Sequence, residues 1–399
     1  MNSAIVNNPP FPKNYADSFL QVDRGEGVYL KDTAGNTYLD FGSGIAVNAL
    51  GYGREDLASI AYDQMKKLIH ISNLYTTEPA VRLAEALTAA GGFASVHFGS
   101  SGTEANEAAL KYARLYSLAK KGKGHHKFLS FSSGFHGRSM GSLSVTANEK
   151  YRKPFEPLIP GCEIIEYNNR EQLKSLSDPQ QYAAVIVEVI QGEGGLTELD
   201  SGMAADLNSF CRENDVILIA DEVQTGIGRT GEIFASTAAG LKPDIVTLSK
   251  PLAGGLPLSA TLLPQKINDL LKPGDHGTTF GGGPVTTAVA MRIWEILTAP
   301  AFLDSVREKG SCLDRLIRTG LEDSGLTGSI RGRGLLKGLR VDGLTAEKIP
   351  VLLAGCREKG LLLLRSGADV IRMAPPLIIE ESELQKGVEI LIEAIKEIV

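Results

Sequence analysis

Long hydrophobic runs are missing from this chain. No apolar stretch approaches the roughly 20 residues that a helix needs to cross a bilayer. The N-terminal segment also lacks the basic stretch followed by an apolar stretch that is typical of a signal peptide. From these two absences we expect a cytoplasmic protein without a membrane span.

Cysteine and excess positive charge are scarce as well. Only four cysteines occur among 399 residues, without a CxxC pair, which favours reduced thiols over a disulfide framework or a zinc site. Acidic residues outnumber basic residues by 47 to 41, so we expect no nucleic-acid partner. His125 and His126 have no third ligand at helical spacing, and we predict no metal site. The composition is that of a metabolic enzyme long enough for two domains.

The most informative residues present are a lysine and an aspartate, each at the end of an apolar run. Asp221 ends residues 216–221, and Lys250 ends residues 245–250. Short runs that are apolar throughout predict buried parallel strands. Ligands bind outside the carboxyl ends of such strands, so both side chains should face one crevice. An amine for a Schiff base and a carboxylate for a pyridinium nitrogen are the groups that a pyridoxal phosphate enzyme most needs.

The order of the predicted elements divides the chain in two. Strands alternate with helices over about residues 81–294, which predicts an α/β sheet with helices on both faces. The remainder predicts two helices, a few short strands and a final amphipathic helix. We expect a large α/β domain over residues 51–299 and a smaller α+β domain formed by residues 1–50 and 300–399.

A loop of small residues, 99–106, runs into a predicted helix. Free backbone N–H groups at a helix start bind anions, and the hydroxyls of Ser101 and Thr103 could add hydrogen bonds. The alternative is a purely structural capping box between Ser101 and Glu104. The interpretation as an anion site is strengthened because the loop should lie at the same sheet edge as the lysine and the aspartate.

Three further charged residues stand out. Arg138 follows Phe135 closely, and a guanidinium is the fitting partner for a substrate carboxylate because it can bind in a bidentate manner. Glu193 lies in a glycine-rich segment that is either a turn or a moving gate. Arg372 lies in an otherwise apolar strand, where an unpaired charge would be costly, so we expect it to have an anionic partner.

Six segments together resemble the class III aminotransferases, which are pyridoxal phosphate enzymes. They are residues 100–107, 135–138, 191–195, 221–231, 243–250 and 276–282. Residues 44–51 and 72–79 are more similar to the branch that acts on N-acetylornithine than to the ornithine or GABA branches. The resemblance implies fold type I, similar to aspartate aminotransferase, with a mainly parallel seven-stranded sheet in the large domain.

The resemblance also implies how pyridoxal 5'-phosphate would be bound. Lys250 would form the Schiff base and move the proton between the substrate carbon and the cofactor, and Asp221 would keep the pyridine nitrogen protonated. The other contacts to the ring, the phenolic oxygen and the phosphate would come from Gly102, Thr103, Phe135, Glu222, Val223 and Gln224.

For the substrates, the resemblance implies two arginines and a gate. Arg138 would bind the carboxylate far from the reacting amine, and Arg372 would bind the α-carboxylate of glutamate. Glu193 would mask Arg372 between half-reactions. Thr279 would reach the phosphate of the neighbouring subunit, with Thr278 near the substrate, which implies a homodimer with shared active sites.

The implied reaction moves the ω-amino group of N2-acetyl-L-ornithine to 2-oxoglutarate, a step of arginine biosynthesis. Succinylornithine, ornithine, GABA and succinyl-diaminopimelate remain alternative donors because they differ only at the distal end. A catalytically idle scaffold is disfavoured because both key residues are present. The chain departs from the family pattern at Thr76, Val189, Pro251 and Gly283, and of these Thr76 bears on the shape of the donor pocket.

Overall fold

The computed structural model describes residues 4–15 and 18–399. Short strands and helices come first along the chain. They are β1 (Ile5–Asn7), β2 (Ser18–Leu20), β3 (Val22–Glu26), β4 (Tyr29–Asp32), β5 (Thr37–Asp40), α1 (Ser43–Ala46), α2 (Glu55–Lys67) and α3 (Glu78–Gly91). In α1 all four residues have left-handed backbone angles, so it is a single left-handed turn.

The central part of the chain alternates strands with helices. The strands are β6 (Ser95–Gly99), β7 (Lys127–Phe131), β8 (Cys162–Ile165), β9 (Tyr182–Val187), β10 (Ile217–Asp221), β11 (Ile245–Leu248) and β12 (Ser259–Leu263). The helices are α4 (Gly102–Lys121), α5 (Met140–Val145), α6 (Glu149–Arg152), α7 (Arg170–Lys174), α8 (Ser201–Glu213), α9 (Ala235–Ala238), α10 (Gln265–Asn268) and α11 (Pro284–Leu297).

These seven strands form one sheet in the order β6-β12-β11-β10-β9-β7-β8. All are parallel except β12, which is antiparallel to both of its neighbours. The predicted mainly parallel, seven-stranded sheet of fold type I is therefore confirmed. Every residue of β9, β10 and β11 is buried, as expected for short apolar runs in a sheet covered on both faces.

The C-terminal part adds α12 (Pro300–Asp323), β13 (Gly328–Arg331), β14 (Lys337–Val341), α13 (Lys348–Glu358), β15 (Leu361–Leu362), β16 (Leu364–Ser366), β17 (Val370–Met373) and α14 (Glu381–Lys396). One antiparallel sheet has the order β13-β14-β17-β16, and a second has the order β15-β5-β4-β3. In the second sheet β15 pairs in parallel with β5, so N-terminal and C-terminal strands share one sheet. The exact domain limits stay a prediction.

Helix α14 covers this part of the molecule with one apolar face. Its buried side chains include the predicted stripe of Leu384, Val388, Leu391 and Ile395, and the helix packs on α12 and α13. The four side chains of this stripe belong to a hydrophobic core that also includes residues of β10 and β11. Within the described part of the chain, no helix is both long and apolar enough to cross a membrane.

The left-handed turn α1 is held by residues far along the chain. Ser43 Oγ donates to the carbonyl of Ala374 (2.6 Å), and the amide of Ala374 donates to the carbonyl of Phe41 (2.7 Å). Asp40 Oδ1 accepts from the amides of Gly42 and Ser43. These contacts fix a backbone that non-glycine residues rarely adopt, at a cost of about 1–3 kcal/mol for each such residue.

Candidate active site

A cavity of about 610 Å³ opens at the carboxyl ends of β10 and β11, beside the start of α4. Asp221 is the last residue of β10, and Lys250 follows β11 by two positions. The predicted crevice is therefore present. Its walls include most of the predicted site residues, namely Gly102, Thr103, Phe135, Arg138, Glu193, Asp221, Val223, Gln224, Lys250 and Arg372.

Asp221 is held from three directions. Its Oδ2 accepts from Asn106 Nδ2 and from His136 Nδ1, both at 2.8 Å, and its Oδ1 accepts from the amide of Val223 (3.1 Å). Burial works to lower the pKa of His136, but the hydrogen bond and charge of Asp221 outweigh it and raise that pKa. The carboxylate is thus fixed in place by donors, two of which the sequence analysis did not assign.

Lys250 begins a short 3₁₀ turn, Lys250–Ala253, directly after the strand. Burial lowers the pKa of its amine, although the carboxylates of Asp221 and Glu188 act in the opposite direction. A lower pKa increases the fraction of neutral amine, which is the nucleophilic form. The direction of this shift favours the form of the lysine that attacks a carbonyl carbon.

The loop before α4 forms the helix cap that its sequence suggested, and its phosphate-binding role stays a prediction. Ser101 Oγ accepts from the amide of Glu104 (3.4 Å), and Glu104 Oε2 accepts from the amide of Ser100 (2.5 Å). The loop is therefore a helix cap, although Glu104 reaches one residue further back than in a standard capping box. Gly102 lines the cavity, and a Cβ there would lie 2.6 Å from Val223 Cγ1. A side chain at position 102 would collide with Val223, so glycine at this position keeps the start of α4 accessible from the cavity.

Arg138 lies over an aromatic ring. Its guanidinium carbon is 3.5 Å from the ring centroid of Tyr151 and 5.6 Å from that of Phe135. No ion pair to Arg138 is found among residues 4–15 and 18–399. Tyr151 also lines the cavity, and no sequence pattern identified it beforehand. An exposed guanidinium stacked in this way keeps its edge available for a carboxylate.

Arg372 is buried on β17 with an exposed fraction of only 3%. Its Nη1 donates to Glu193 Oε1 (2.7 Å) and to the carbonyl of Gly192 (2.8 Å). The prediction that this arginine has an anionic partner is confirmed. Its Nε is buried and has no hydrogen-bond partner within the described residues, so one edge of the guanidinium remains unused.

Glu188 was not predicted to line the cavity. Its Oε1 accepts from the amide of Phe135 (2.9 Å) and its Oε2 from the amide of Gly192 (3.1 Å). Burial raises its pKa to about 7, with His136 acting to lower the pKa and Asp221 acting to raise it. The signal that identified Asp221 was also present here, since Glu188 ends the apolar run of residues 183–188.

Three predicted residues lie outside the cavity of their own chain. The side chain of Glu222 is buried away from the cavity, where its carboxylate accepts from Thr225, Ala235 and Ser236, so the predicted cofactor contact is not made by this side chain here. Its side chain anchors the segment after β10. Thr278 and Thr279 lie on the loop before α11. Thr279 is exposed and faces a separate groove beside residues 70–77.

The cavity fits pyridoxal phosphate in its donor and acceptor set. An amine and a firmly held carboxylate share one space with an apolar valine and an aromatic ring. Gln224 Oε1 is buried there without a partner within the described residues, and the glycine cradle at the α4 N-terminus suits a phosphate. In the described part of the chain, no group of three or more metal-ligating side chains is arranged to hold a metal ion.

This chain is similar to known proteins over most of its length. The sequence profile described as class-III aminotransferase matches residues 11–395. A probable mitochondrial acetylornithine aminotransferase from Dictyostelium discoideum is 44% identical over 376 residues, covering 92% of this chain and 82% of that protein.

Two solved structures are also similar. The N-acetylornithine aminotransferase from Stenotrophomonas maltophilia has a TM-score of 0.82 at 32% identity, covering 94% of this chain and 95% of its own. The ornithine aminotransferase from Toxoplasma gondii has a TM-score of 0.89 at 30% identity. This match covers 97% of the present chain and 92% of the Toxoplasma chain. With a profile match from residue 11 to residue 395 and a relative that is 44% identical, this chain belongs to the class-III aminotransferase family.

Proposed function

We propose that this aminotransferase moves the terminal amino group of N2-acetyl-L-ornithine to 2-oxoglutarate. The products are N-acetylglutamate 5-semialdehyde and glutamate, and the reaction is reversible. The observation that carries this proposal is the Arg372–Glu193 pair at 2.7 Å, in the cavity that contains Lys250. Relatives named acetylornithine aminotransferase, at about 40% identity over most of the chain, support the donor.

Pyridoxal 5'-phosphate is the proposed cofactor, and it supplies an electron sink for the carbon that loses its proton. The solved Toxoplasma gondii relative is described with this cofactor at its active site. In this chain, Lys250 would form the covalent link and carry the proton to and from the substrate carbon. Asp221 would hold positive charge at the pyridine nitrogen, since its carboxylate is fixed by three donors.

The remaining cofactor contacts would come from the residues around these two. Val223 and Phe135 would pack against the ring, and Gln224 would donate from its side-chain amide nitrogen to the phenolic oxygen. Gly102 and Thr103, at the N-terminus of α4, would bind the phosphate through backbone amides and a hydroxyl.

Substrate recognition would divide between the two arginines. In the first half-reaction no carboxylate lies beside the reacting carbon, and Glu193 would neutralise Arg372, which avoids an unpaired buried charge. In the second, the α-carboxylate of glutamate or 2-oxoglutarate would replace Glu193. Arg138 would bind the distal carboxylate in both.

A homodimer would complete the site. The groove around Thr279 is lined by two strongly exposed apolar side chains, Tyr75 (74% exposed) and Phe280 (69%), and the adjacent Leu74 is 86% exposed. Exposed apolar groups of this size favour burial against another protein surface. A second copy of the chain would cover them and bring Thr279 to the partner's phosphate, with Thr278 near the substrate.

A cytoplasmic location is proposed on the basis of four free cysteines.

The test is a panel of ω-amine donors with 2-oxoglutarate as acceptor. We expect kcat/KM for N-acetylornithine to exceed the values for ornithine and GABA by about tenfold or more, or roughly 1.4 kcal/mol. The same protein should be yellow, and glutamate alone should abolish its visible band. Another preferred donor would overturn the substrate assignment. A colourless protein that remains inactive with every donor would instead indicate an idle scaffold.

A further inference from the structure

Both backbone polar groups of Gly192, its N–H and its carbonyl, are held by side chains. Its amide donates to Glu188 Oε2 (3.1 Å). Its carbonyl accepts from Ser366 Oγ (2.7 Å) and from Arg372 Nη1 (2.8 Å). This peptide directly precedes Glu193, so the proposed gate side chain extends from a backbone that is fixed.

Ser366 makes hydrogen bonds to both ends of the gate segment, which we define as residues 192–195. Besides donating to the Gly192 carbonyl, its Oγ accepts from the amide of Gly195 (2.9 Å). Ser366 is only 1% exposed and lies on β16, which pairs with the strand that carries Arg372. One hydroxyl therefore ties both ends of the gate segment to the sheet that carries the arginine.

Glu188 extends this network to the cofactor side of the cavity. The same carboxylate that accepts from Gly192 also accepts from the amide of Phe135. Gly192 packs closely against Gln224, because a Cβ there would lie 2.1 Å from Gln224 Oε1. The Gly192 peptide thus packs directly between Gln224, Glu188 and Arg372.

We propose that Ser366 and Glu188 are positioning residues that keep the Gly192 carbonyl as the permanent partner of Arg372. Glu193 is the exchangeable partner of the same Nη1 atom. When Glu193 moves aside, the carbonyl keeps the guanidinium in place, and the side of Nη1 that Glu193 leaves can bind the incoming α-carboxylate. This inference rests on the proposed function, and it assigns the two residues to the glutamate half-reaction specifically.

The test compares the two half-reactions in single-turnover absorbance measurements on the holoenzyme. Ser366→Ala and Glu188→Gln should each lower kcat/KM for glutamate by about three- to tenfold, the range expected for one lost hydrogen bond. In Ser366→Ala the value for N-acetylornithine should stay within about twofold by the same reasoning. Glu188→Gln also removes a charge that acts on Lys250 and His136, so for this variant the readout is the ratio of the two kcat/KM values, which should shift against glutamate. The loss should appear mainly as a higher apparent KM, because binding of the α-carboxylate is what weakens.

Two further variants separate positioning from general damage. Ser366→Thr keeps the hydroxyl and should retain most of the glutamate activity. Ser117→Ala is the matched control: this serine is also fully buried and donates to a carbonyl, that of His125 (2.6 Å), but lies outside the cavity. It should change neither half-reaction.

Equal losses in both half-reactions, or no loss with glutamate, would overturn the assignment. If Ser366→Ala does not fold, Glu188→Gln carries the same comparison, and a normal ratio in that variant would be enough to reject the idea. The proposed function fails in a different way, because the wild-type protein itself would then not convert N-acetylornithine. The glutamate half-reaction can still be measured in that case.

Discussion

Asp221 is a carboxylate whose orientation leaves little freedom. Asn106 and His136 both donate to one oxygen, and Asn106 is itself held by Thr247 Oγ1 (2.8 Å). These partners lie on different elements, so the carboxylate keeps its place whether or not a ring lies before it. Its charge, more than its shape, is then what distinguishes it from an amide.

Asp221→Asn should therefore retain the fold and much of the cofactor contact but lose turnover. A hydrogen bond to an ion contributes about 1.5–3 kcal/mol, and loss of the pyridinium charge weakens the electron sink further, so we expect kcat to fall by about a hundredfold or more. Steady-state transamination, normalised to bound cofactor, measures this. A loss of less than about threefold, near 0.7 kcal/mol, would contradict the role.

Lys250→Ala should remove turnover altogether. The side chain lies at the cavity wall rather than in the apolar core, so we expect the unfolding temperature to change little. The visible absorbance of the covalent link should be lost while cofactor is still bound through its phosphate. Normal steady-state activity in this variant would invalidate the central assignment.

Glu193→Ala should change the balance between substrates. Without the 2.7 Å partner of Arg372, a buried positive charge remains uncompensated when the ω-amine donor is bound. We expect the N-acetylornithine half-reaction to weaken and the glutamate half-reaction to be spared, shifting the ratio of kcat/KM values by about tenfold. Equal losses in both halves would leave Glu193 as a structural loop residue.

Among the elements, the edge strand β6 carries His97, whose ring stacks on that of His276 in the loop before α11. The rings of His97 and His276 lie 4.8 Å apart and nearly parallel. Lys111 Nζ lies 2.8 Å from His276 Nδ1, and Tyr112 Oη lies 3.0 Å from His97 Nδ1. Burial lowers the pKa of His97 to about 4, and the charges of His276 and Lys111 act in the same direction.

This stack should make stability depend on pH in the acidic range. A histidine with a depressed pKa stabilises the folded state above its unfolded pKa of about 6.5 and loses this contribution as the pH falls toward about 4. His97→Phe keeps an aromatic ring but cannot titrate. Between pH 6.5 and 4, the wild type should therefore lose up to about 3 kcal/mol of unfolding free energy relative to the variant.

Denaturant unfolding of both proteins at several pH values, in the same cofactor state, provides the measurement. The difference between them should be constant above about pH 7 and change only below it. Parallel curves over the whole range would show that His97 keeps an ordinary pKa in the folded protein.

Elements buried on both faces were predictable, and elements defined by distant contacts were not. The apolar runs before Asp221 and Lys250 had to be central strands, because few other places accept such sequences. The apolar run of β12 carries no information about its direction, and its antiparallel pairing went unpredicted. Ser366 is held by a residue 174 positions away, and no local pattern indicates such a contact.

For the whole molecule, the main prediction concerns two chains sharing a site. Mixing Lys250→Ala protein with Thr279→Ala protein should restore activity, because a mixed dimer contains one site with both residues intact. Random exchange would restore up to about a quarter of the wild-type activity. Mixtures no more active than the separate variants, after demonstrated subunit exchange, would indicate that Thr279 serves its own subunit.

The left-handed turn α1 has a consequence for how the protein is made. Its Ser43 hydroxyl needs the carbonyl of Ala374, 331 positions later, and the turn lines the cavity through Gly44 and Ile45. At about 5–20 residues per second, a ribosome needs roughly half a minute to supply that partner. One wall of the site is thus translated 331 residues before the partner that fixes its shape. Nascent chains should therefore bind cofactor late, and ribosome-bound chains stalled before residue 374 should bind it poorly.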